Sequence, residues 1–571
     1  MIYTLSPTRL GSRFLSILAE FDTEGNEEIE IQLATWRPGR YEIGNFAKNI
    51  RKFEVVGVDA EALAFEKISK DRWRIHCAGN RRIRVSYEYF AATLDAGSTF
   101  CGKKLLYVNP VSCLVYVPAF ASKPCEVVLN VPDTYHIASS MRLEGKRLYA
   151  SGYEELADSP IIASPDLDHH TFEVEEHLFH LWIQGHHRLN IPRFIEQAKA
   201  YTREQVQVFG EMENPEFHYL FLFLPTRFHH GVEHHASTVI AMGPGDEFHT
   251  PDRHQEFLAI CSHELFHYWN VKRIRPVEMF PYSYTSENYS RLGYVYEGIT
   301  TYYGDYMLLR SGVFSHNDYL KQFNTDLQKH FDNEGRYNYS VAESSFDTWL
   351  DGYVQGVPGR KVSIYSEGML AAFMLDIEIR YATGNTKSLD TVMRHLYDDL
   401  YKKGLAYTEA DFKLIIERVA GKSFDFFFRD FYHGKGNIEK FLPESLWSIG
   451  CEIQTETSNV LHEARYGFKI SGGPKVLVAA IQENSPAEHA GLSLNDEVIL
   501  INNTPASPGT DWNQLFNLGS SMLVWNSIEG SKQVDMVSDG ESYFRKYGVK
   551  KMEEATEEQK MFFEKWSGQG F

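Results

Sequence analysis

The first 165 or so residues alternate apolar and polar positions in short runs: FLSILAEF (14–21), EIEIQLATW (28–36), RIRVSYEYF (82–90), LLYVNPVSCLVYVP (105–118) and CEVVLNVP (125–132). Gly, Asp, Asn and Pro separate them. Period-two alternation marks half-buried strands, so residues 1–165 are expected to form an all-β domain, a β-sandwich. From 166 to 445 the period changes. The nearly continuous apolar run HYLFLFLP (218–225) reads as a buried strand, and helical spacing appears around 251–270, 289–311, 363–383 and 409–420. This second unit is expected to be α/β giving way to helix. Residues 446–535 return to short strands, and the tail 536–571 contains ATEEQKMFFEKWSG, a capping box opening a terminal helix. The fold class is therefore multidomain α+β, as 571 residues require, being too many for one core.

Charge narrows the partners. With 57 basic against 77 acidic residues the net charge is −20, and no run of Lys and Arg offers a phosphate-binding stripe, so nucleic acid is not expected as a partner. No window reaches the 18 apolar residues of a membrane helix, and the first residues, MIYTLSPTRLGSRFLSILAEF, lack the pattern of a signal peptide. The expected location is cytoplasmic, or periplasmic or secreted if a signal peptide had been removed. Cysteines 77, 101, 113, 125, 261 and 451 have neither C-x-x-C spacing nor a disulfide framework and are expected as buried thiols.

The chemistry begins at CSHELFHYWN (261–270). Thr250 can cap a helix here, and Pro251 suits its first position, where a missing N–H costs nothing. At 100° per residue, Leu258, Cys261, Leu265 and Trp269 share one face, and His263 and His267 lie together opposite. A histidine pair at i and i+4 can aim two imidazole nitrogens at one Zn²⁺, with Glu264 adjoining as general base. Two surface histidines on an ordinary helix would give the same letters. A catalytic zinc needs a third protein ligand and an open position. The H-E-x-x-H-x-x-G-x-x-H solution fails, because positions 270 and 273 are Asn and Arg. A glutamate from a following helix is the other solution. Glu297, in GYVYEGITTYYGD (293–305), fits it better than Glu278 or Glu287, which stand in a Pro- and Ser-marked loop.

Four separated strings, HELFHYWNVKRIRP (263–276), YEGITTYYGD (296–305), AESSFDTW (342–349) and IYSEGMLAAFMLD (364–376), together resemble the glycyl aminopeptidase family of gluzincin zinc metallopeptidases that carry a PDZ domain. ATWRPGRYEIGNFAKNIRKF (34–53) and the tail near 544–568 extend the resemblance. It implies a thermolysin-like catalytic domain over 166–445, one zinc held by His263, His267 and Glu297, and peptide substrates with a free N-terminus, trimmed of small residues such as Gly or Ala. In HHGVEHHAS (229–237), Glu233 matches the glutamate that binds the substrate α-amine in related aminopeptidases, with Gly231 beside it in the substrate-binding stretch. ASTVIAM (236–242) reads as an edge strand along which a peptide could lie. Tyr365 matches a tyrosine that donates to the oxyanion, although Glu367 stands where the relatives have lysine.

RYGFKI (465–470) resembles the carboxylate loop of PDZ domains, which would place Tyr466, Gly467 and Phe468 against a peptide C-terminus. SPAEHAGLSLNDEVILINN (485–503) continues that likeness, with Ser485 capping, Pro486 at the first helical position, Gly491 closing and Asn495 left-handed. Two other readings share these residues. A zinc endopeptidase would not use Glu233 for an amine, and a non-catalytic peptide-binding scaffold would need no metal.

Overall fold

The computed structural model describes residues 1–8, 11–354, 356–471, 475–507 and 511–571. The chain forms two compact units. One comprises Met1–Tyr319, Glu334–Ile449 and Glu557–Phe571, and the other Leu320–Asn333 and Gly450–Thr556.

The first unit opens with a β-rich N-terminal domain. The strand Phe14–Asp22 buries Leu15, Ile17, Ala19 and Phe21 in alternation and pairs antiparallel with Arg82–Phe90, setting them opposite Tyr89, Tyr87, Val85 and Ile83. These strands belong to a seven-stranded sheet. A three-stranded sheet built on Glu28–Gln32 turns Ile29 and Ile31 into the same core, with Trp73 and Ile75 from its central strand. Each such side chain contributes about 1.5–3 kcal/mol on burial, so the period-two pattern dictates which face turns inward.

A five-stranded sheet follows, in the order Asp168–Val174, His177–Gln184, Glu216–Phe223, Ser237–Gly243, Phe228–Glu233. Its three central strands are parallel and, from Phe217 to Phe223 and from Ser237 to Gly243, buried throughout, as strands covered on both faces must be. The expectation of an edge strand at 236–242 is corrected here. A turn at 234–236 folds HHGVE back antiparallel, pairing Glu233 with Thr238 and Gly231 with Ile240, so that Phe228–Glu233 becomes the edge.

The helices Ile191–Phe209 and Pro251–Phe266 pack on this sheet, and the later helices pack on them and on one another. Pro251–Phe266 starts where expected, but Thr250 does not cap it with its side chain; that hydroxyl donates to the Glu247 carbonyl instead. The helix also ends at Phe266 rather than 270. Beyond it the chain runs through a tight turn in which Val271 and Lys272 amides both reach the His267 carbonyl. Tyr294–Ile299 is a π-helical segment continuing into Thr300–Arg310, shorter than the 289–311 read from periodicity. Ser366–Ala382 and Glu409–Ala420 form as expected. The terminal helix Glu557–Ser567 packs within this first unit: the Trp566 indole donates to Tyr302 Oη at 3.0 Å and its ring stacks on Tyr306.

In the second unit, a six-stranded sheet running from Phe468–Ser471 to Gly530–Val537 encloses Phe468, Val498, Leu523 and Trp525. Ser485 caps Pro486–His489 by accepting from the Glu488 amide, and Gly491 and Asn495 both take positive φ, as the sequence pattern requires. All six cysteines are buried, free thiols. No helix among the described residues is long and apolar enough to cross a membrane.

Candidate active site

The candidate ligands converge. His263 and His267 Nε2 lie 3.1 Å apart, and Glu297 Oε2 is 3.8 Å from the first and 3.3 Å from the second. His267 Nδ1–H donates to the Asn270 carbonyl at 2.6 Å, which aims Nε2 at the site; burial disfavours charge there, but Glu297 lifts the imidazole pKa to about 10, so the place stabilises a cation. Burial, with His267 alongside, holds His263 well below the usual imidazole range and therefore neutral. Atoms so close repel one another unless a proton or a metal cation lies among them. Ligand bonds of about 2.0–2.1 Å in tetrahedral array put ligand atoms roughly 3.3 Å apart, so the residues present fit a small divalent metal.

Packing explains why they meet. Gly304 lets its helix approach the backbone of His263, where an added Cβ would lie 3.1 Å from His263 Cβ. Gly298 and Gly368 face each other so closely that a Cβ on Gly298 would fall 2.5 Å from Gly368 Cα. That crossing brings Tyr365, just ahead of the helix Ser366–Ala382, to the π-helical turn that carries Glu297. Burial raises the Tyr365 phenol well above its ordinary pKa, and the charges of Glu297, Tyr353 and Glu233 raise it further, so it keeps its proton. Glu367 is buried in the first turn of the same helix, where the macrodipole favours a carboxylate.

Glu264 packs on Gly231 of the edge strand; a Cβ at 231 would overlap the carboxylate. Burial pushes the Glu264 carboxyl well above the usual range, opposed by His267 and reinforced by Glu233 and Glu297. Glu233, 4% exposed, is the last residue of that strand, and its carboxylate rests against Gly39. Glu233 Oε1, Glu264 Oε2 and Glu297 Oε2 are all buried and accept no hydrogen bond. Three orphaned carboxylate oxygens around two imidazoles form a site that selects cationic or proton-donating ligands.

The N-terminal domain supplies residues that sequence reasoning missed. Tyr41 donates to Glu297 Oε1 at 2.6 Å, and its amide donates to Tyr353 Oη at 3.1 Å. Arg37 reaches His230 Nε2 at 3.2 Å. Their signal was the string RPGRY (37–41), whose Gly39 takes φ +78 so that the backbone can touch Glu233. A cavity of about 270 Å³, lined by Tyr353, Lys361, Ile364 and Tyr365, opens beside them.

A second His/Glu group, His180, Glu216 and His218, is different. Both Nε2 atoms lie 3.7 Å from Glu216 Oε2, but the two rings stack parallel at 6° and 4.4 Å, so their lone pairs run side by side instead of converging. His218 Nδ1 also accepts the Trp182 indole N–H at 3.2 Å. This is a cross-strand aromatic ladder, not a metal centre. In the second unit the residues of the expected carboxylate loop lie at the end of a short helix. Tyr466 ends the helix Leu461–Tyr466 with its hydroxyl on the Asn517 carbonyl, the Gly467 amide donates to the Glu463 and His462 carbonyls, and Phe468 is core.

Sequence profiles match two stretches of the chain. The M61 glycyl aminopeptidase profile matches residues 256–371, and the M61 peptidase N-terminal domain profile matches residues 2–165. No curated protein matches the chain in sequence. Among solved structures, an aminopeptidase N family protein from Idiomarina loihiensis has the same fold, with a TM-score of 0.91, 24% identity and 99% of each chain covered. An M1 zinc metallopeptidase from Deinococcus radiodurans, solved with a Tyr-Ser-Ala substrate, aligns at a TM-score of 0.46 and 13% identity over 76% of this chain and 93% of its own. The chain carries both the N-terminal domain and the peptidase domain of the M61 glycyl aminopeptidase family.

Proposed function

We propose that this peptidase is a zinc-dependent aminopeptidase that removes small N-terminal residues, glycine or alanine, from peptides. The observation that carries the reading is the set of three buried, orphaned carboxylate oxygens, on Glu233, Glu264 and Glu297, gathered around His263 and His267. His263, His267 and Glu297 would hold the zinc, which supplies Lewis acidity towards a carbonyl oxygen and water. The remaining work falls to the chain. An extended peptide adds to the edge strand Phe228–Glu233, with its α-ammonium on Glu233, which fixes the first peptide bond beside Glu264. Glu264 takes the proton of the attacking water and passes it to the leaving amine. Tyr365, protonated, donates to the oxygen that gains charge. Trp36 packs edge-on against Tyr282 and Trp349, and Tyr41, which donates to Glu297, packs edge-on against Trp349; this aromatic cluster beside a metal-ligand candidate supports a preference for small first residues.

The direct test is digestion of matched free and N-acetylated peptides followed by mass spectrometry. Stepwise trimming of the free peptides alone is expected; internal cleavage of both at similar rates would favour an endopeptidase. Tyr365→Phe is expected to lower kcat by roughly 10²–10³ with little change in KM, as for loss of one oxyanion donor. An ordinary kcat would assign the oxyanion to another donor. Tyr41→Phe removes the hydrogen bond that orients Glu297, so zinc affinity should fall about 10- to 100-fold in chelator competition. Unchanged affinity would show that packing alone holds the ligand.

A further inference from the structure

Asp158 ends the short helix Tyr153–Ala157 of the N-terminal domain, far in sequence from every candidate site residue. Its carboxylate is fully engaged. Oδ2 accepts the His235 amide at 2.7 Å, and Oδ1 accepts Lys272 Nζ at 2.7 Å and His234 Nδ1–H at 3.1 Å. Burial works against the charge, but Lys272 and His234 hold the carboxyl well below the usual range. The Lys272 side chain is 1% exposed and that of His234 5%.

These partners are not scattered. His234 and His235 directly follow Glu233, at the point where the edge strand ends. Lys272 belongs to the turn after the ligand helix, and its amide donates to the His267 carbonyl at 3.1 Å. One carboxylate from the N-terminal domain therefore ties the end of the substrate-binding strand to the turn that holds a metal ligand. In the string NVKR (270–273), where the Asn270 carbonyl already orients His267, Lys272 thereby gains a part as well.

We propose that Asp158 is the positioning residue that sets Glu233 at its distance from Glu264 and the metal ligands, so that exopeptidase register depends on the N-terminal domain. The proposal rests on the reading of Glu233 as the amine anchor. Only a carboxylate serves here: asparagine would turn an NH₂ group either towards the His235 N–H, losing that bond, or towards the Lys272 ammonium and the His234 N–H, losing both of theirs. The strand end would then be free to shift, and a displacement of about 1 Å at such a site costs up to ~10²-fold.

The test is a double-mutant cycle of Asp158→Asn and Glu233→Ala, read as KM and kcat on alanyl para-nitroanilide, with zinc content measured on each protein. Expected for D158N is a KM raised about 10- to 100-fold, kcat within roughly threefold and zinc unchanged, with no further rise in KM when D158N is added to E233A. A wild-type KM for D158N, or an equal rise in both backgrounds, would overturn the positioning role. A wild-type KM for E233A would overturn the amine anchor itself, and the proposal with it. D158N leaves the Lys272 charge buried without its partner, so the paired variant D158N/K272M, which removes both charges, is read by the same criteria and decides alone if D158N does not fold.

Discussion

Glu264→Gln should retain its zinc and lose kcat by about 10²–10⁴-fold, the usual range for removal of a general acid–base. Glutamine has the same shape as glutamate, and shape matters here because the carboxylate lies directly on Gly231. What it lacks is a site for the proton. The native carboxyl is held well above the ordinary range by burial, reinforced by Glu233 and Glu297, which strengthens it as a base. Metal analysis and steady-state kinetics on one preparation check both halves of the expectation. Full turnover in the zinc-loaded variant would move the base elsewhere.

For Glu233→Ala, kcat/KM towards free N-termini should fall by an amount equivalent to roughly 2–5 kcal/mol, the cost of removing one member of a buried charge pair. In the structure Glu233 Oε1 is buried without a partner, a position that an α-ammonium would satisfy. Acetylated peptides have no such charge to offer, so the gap between free and acetylated substrates should narrow in the variant as trimming of the free peptides slows. If the variant distinguished the two peptide types as sharply as the wild type, amine selection would lie with another group.

How much of this was legible in the sequence depends on distance along the chain. The H-E-x-x-H pair needs only helical spacing, and Glu297 could be picked out because Tyr296 and Gly298 signal a tightly packed helix, which the Gly298–Gly368 crossing bears out. The N-terminal strands were equally readable, since Leu15, Ile17, Ala19 and Phe21 alternate without exception. The edge strand was misread because STVIAM and HHGVE differ in apolarity in the wrong sense. The more apolar segment lies inside the sheet, and the polar, His-rich one takes the rim. Tyr41, Gly39 and Asp158 were illegible for a different reason. Each meets its partner across a domain boundary, Tyr41 on Glu297 and Asp158 on Lys272, and no local periodicity encodes such a meeting. In the second unit, the string RYGFKI spans the end of the helix Leu461–Tyr466 and the strand Phe468–Ser471, a junction that its loop-like letters do not reveal.

The measurement that bears most directly on the whole account is zinc analysis, by plasma mass spectrometry, of the purified wild type beside Glu297→Ala. The geometry of His263, His267 and Glu297 predicts one zinc per chain in the wild type and its loss from the variant. A wild-type chain that takes up no zinc, or a variant that keeps it, would contradict the account.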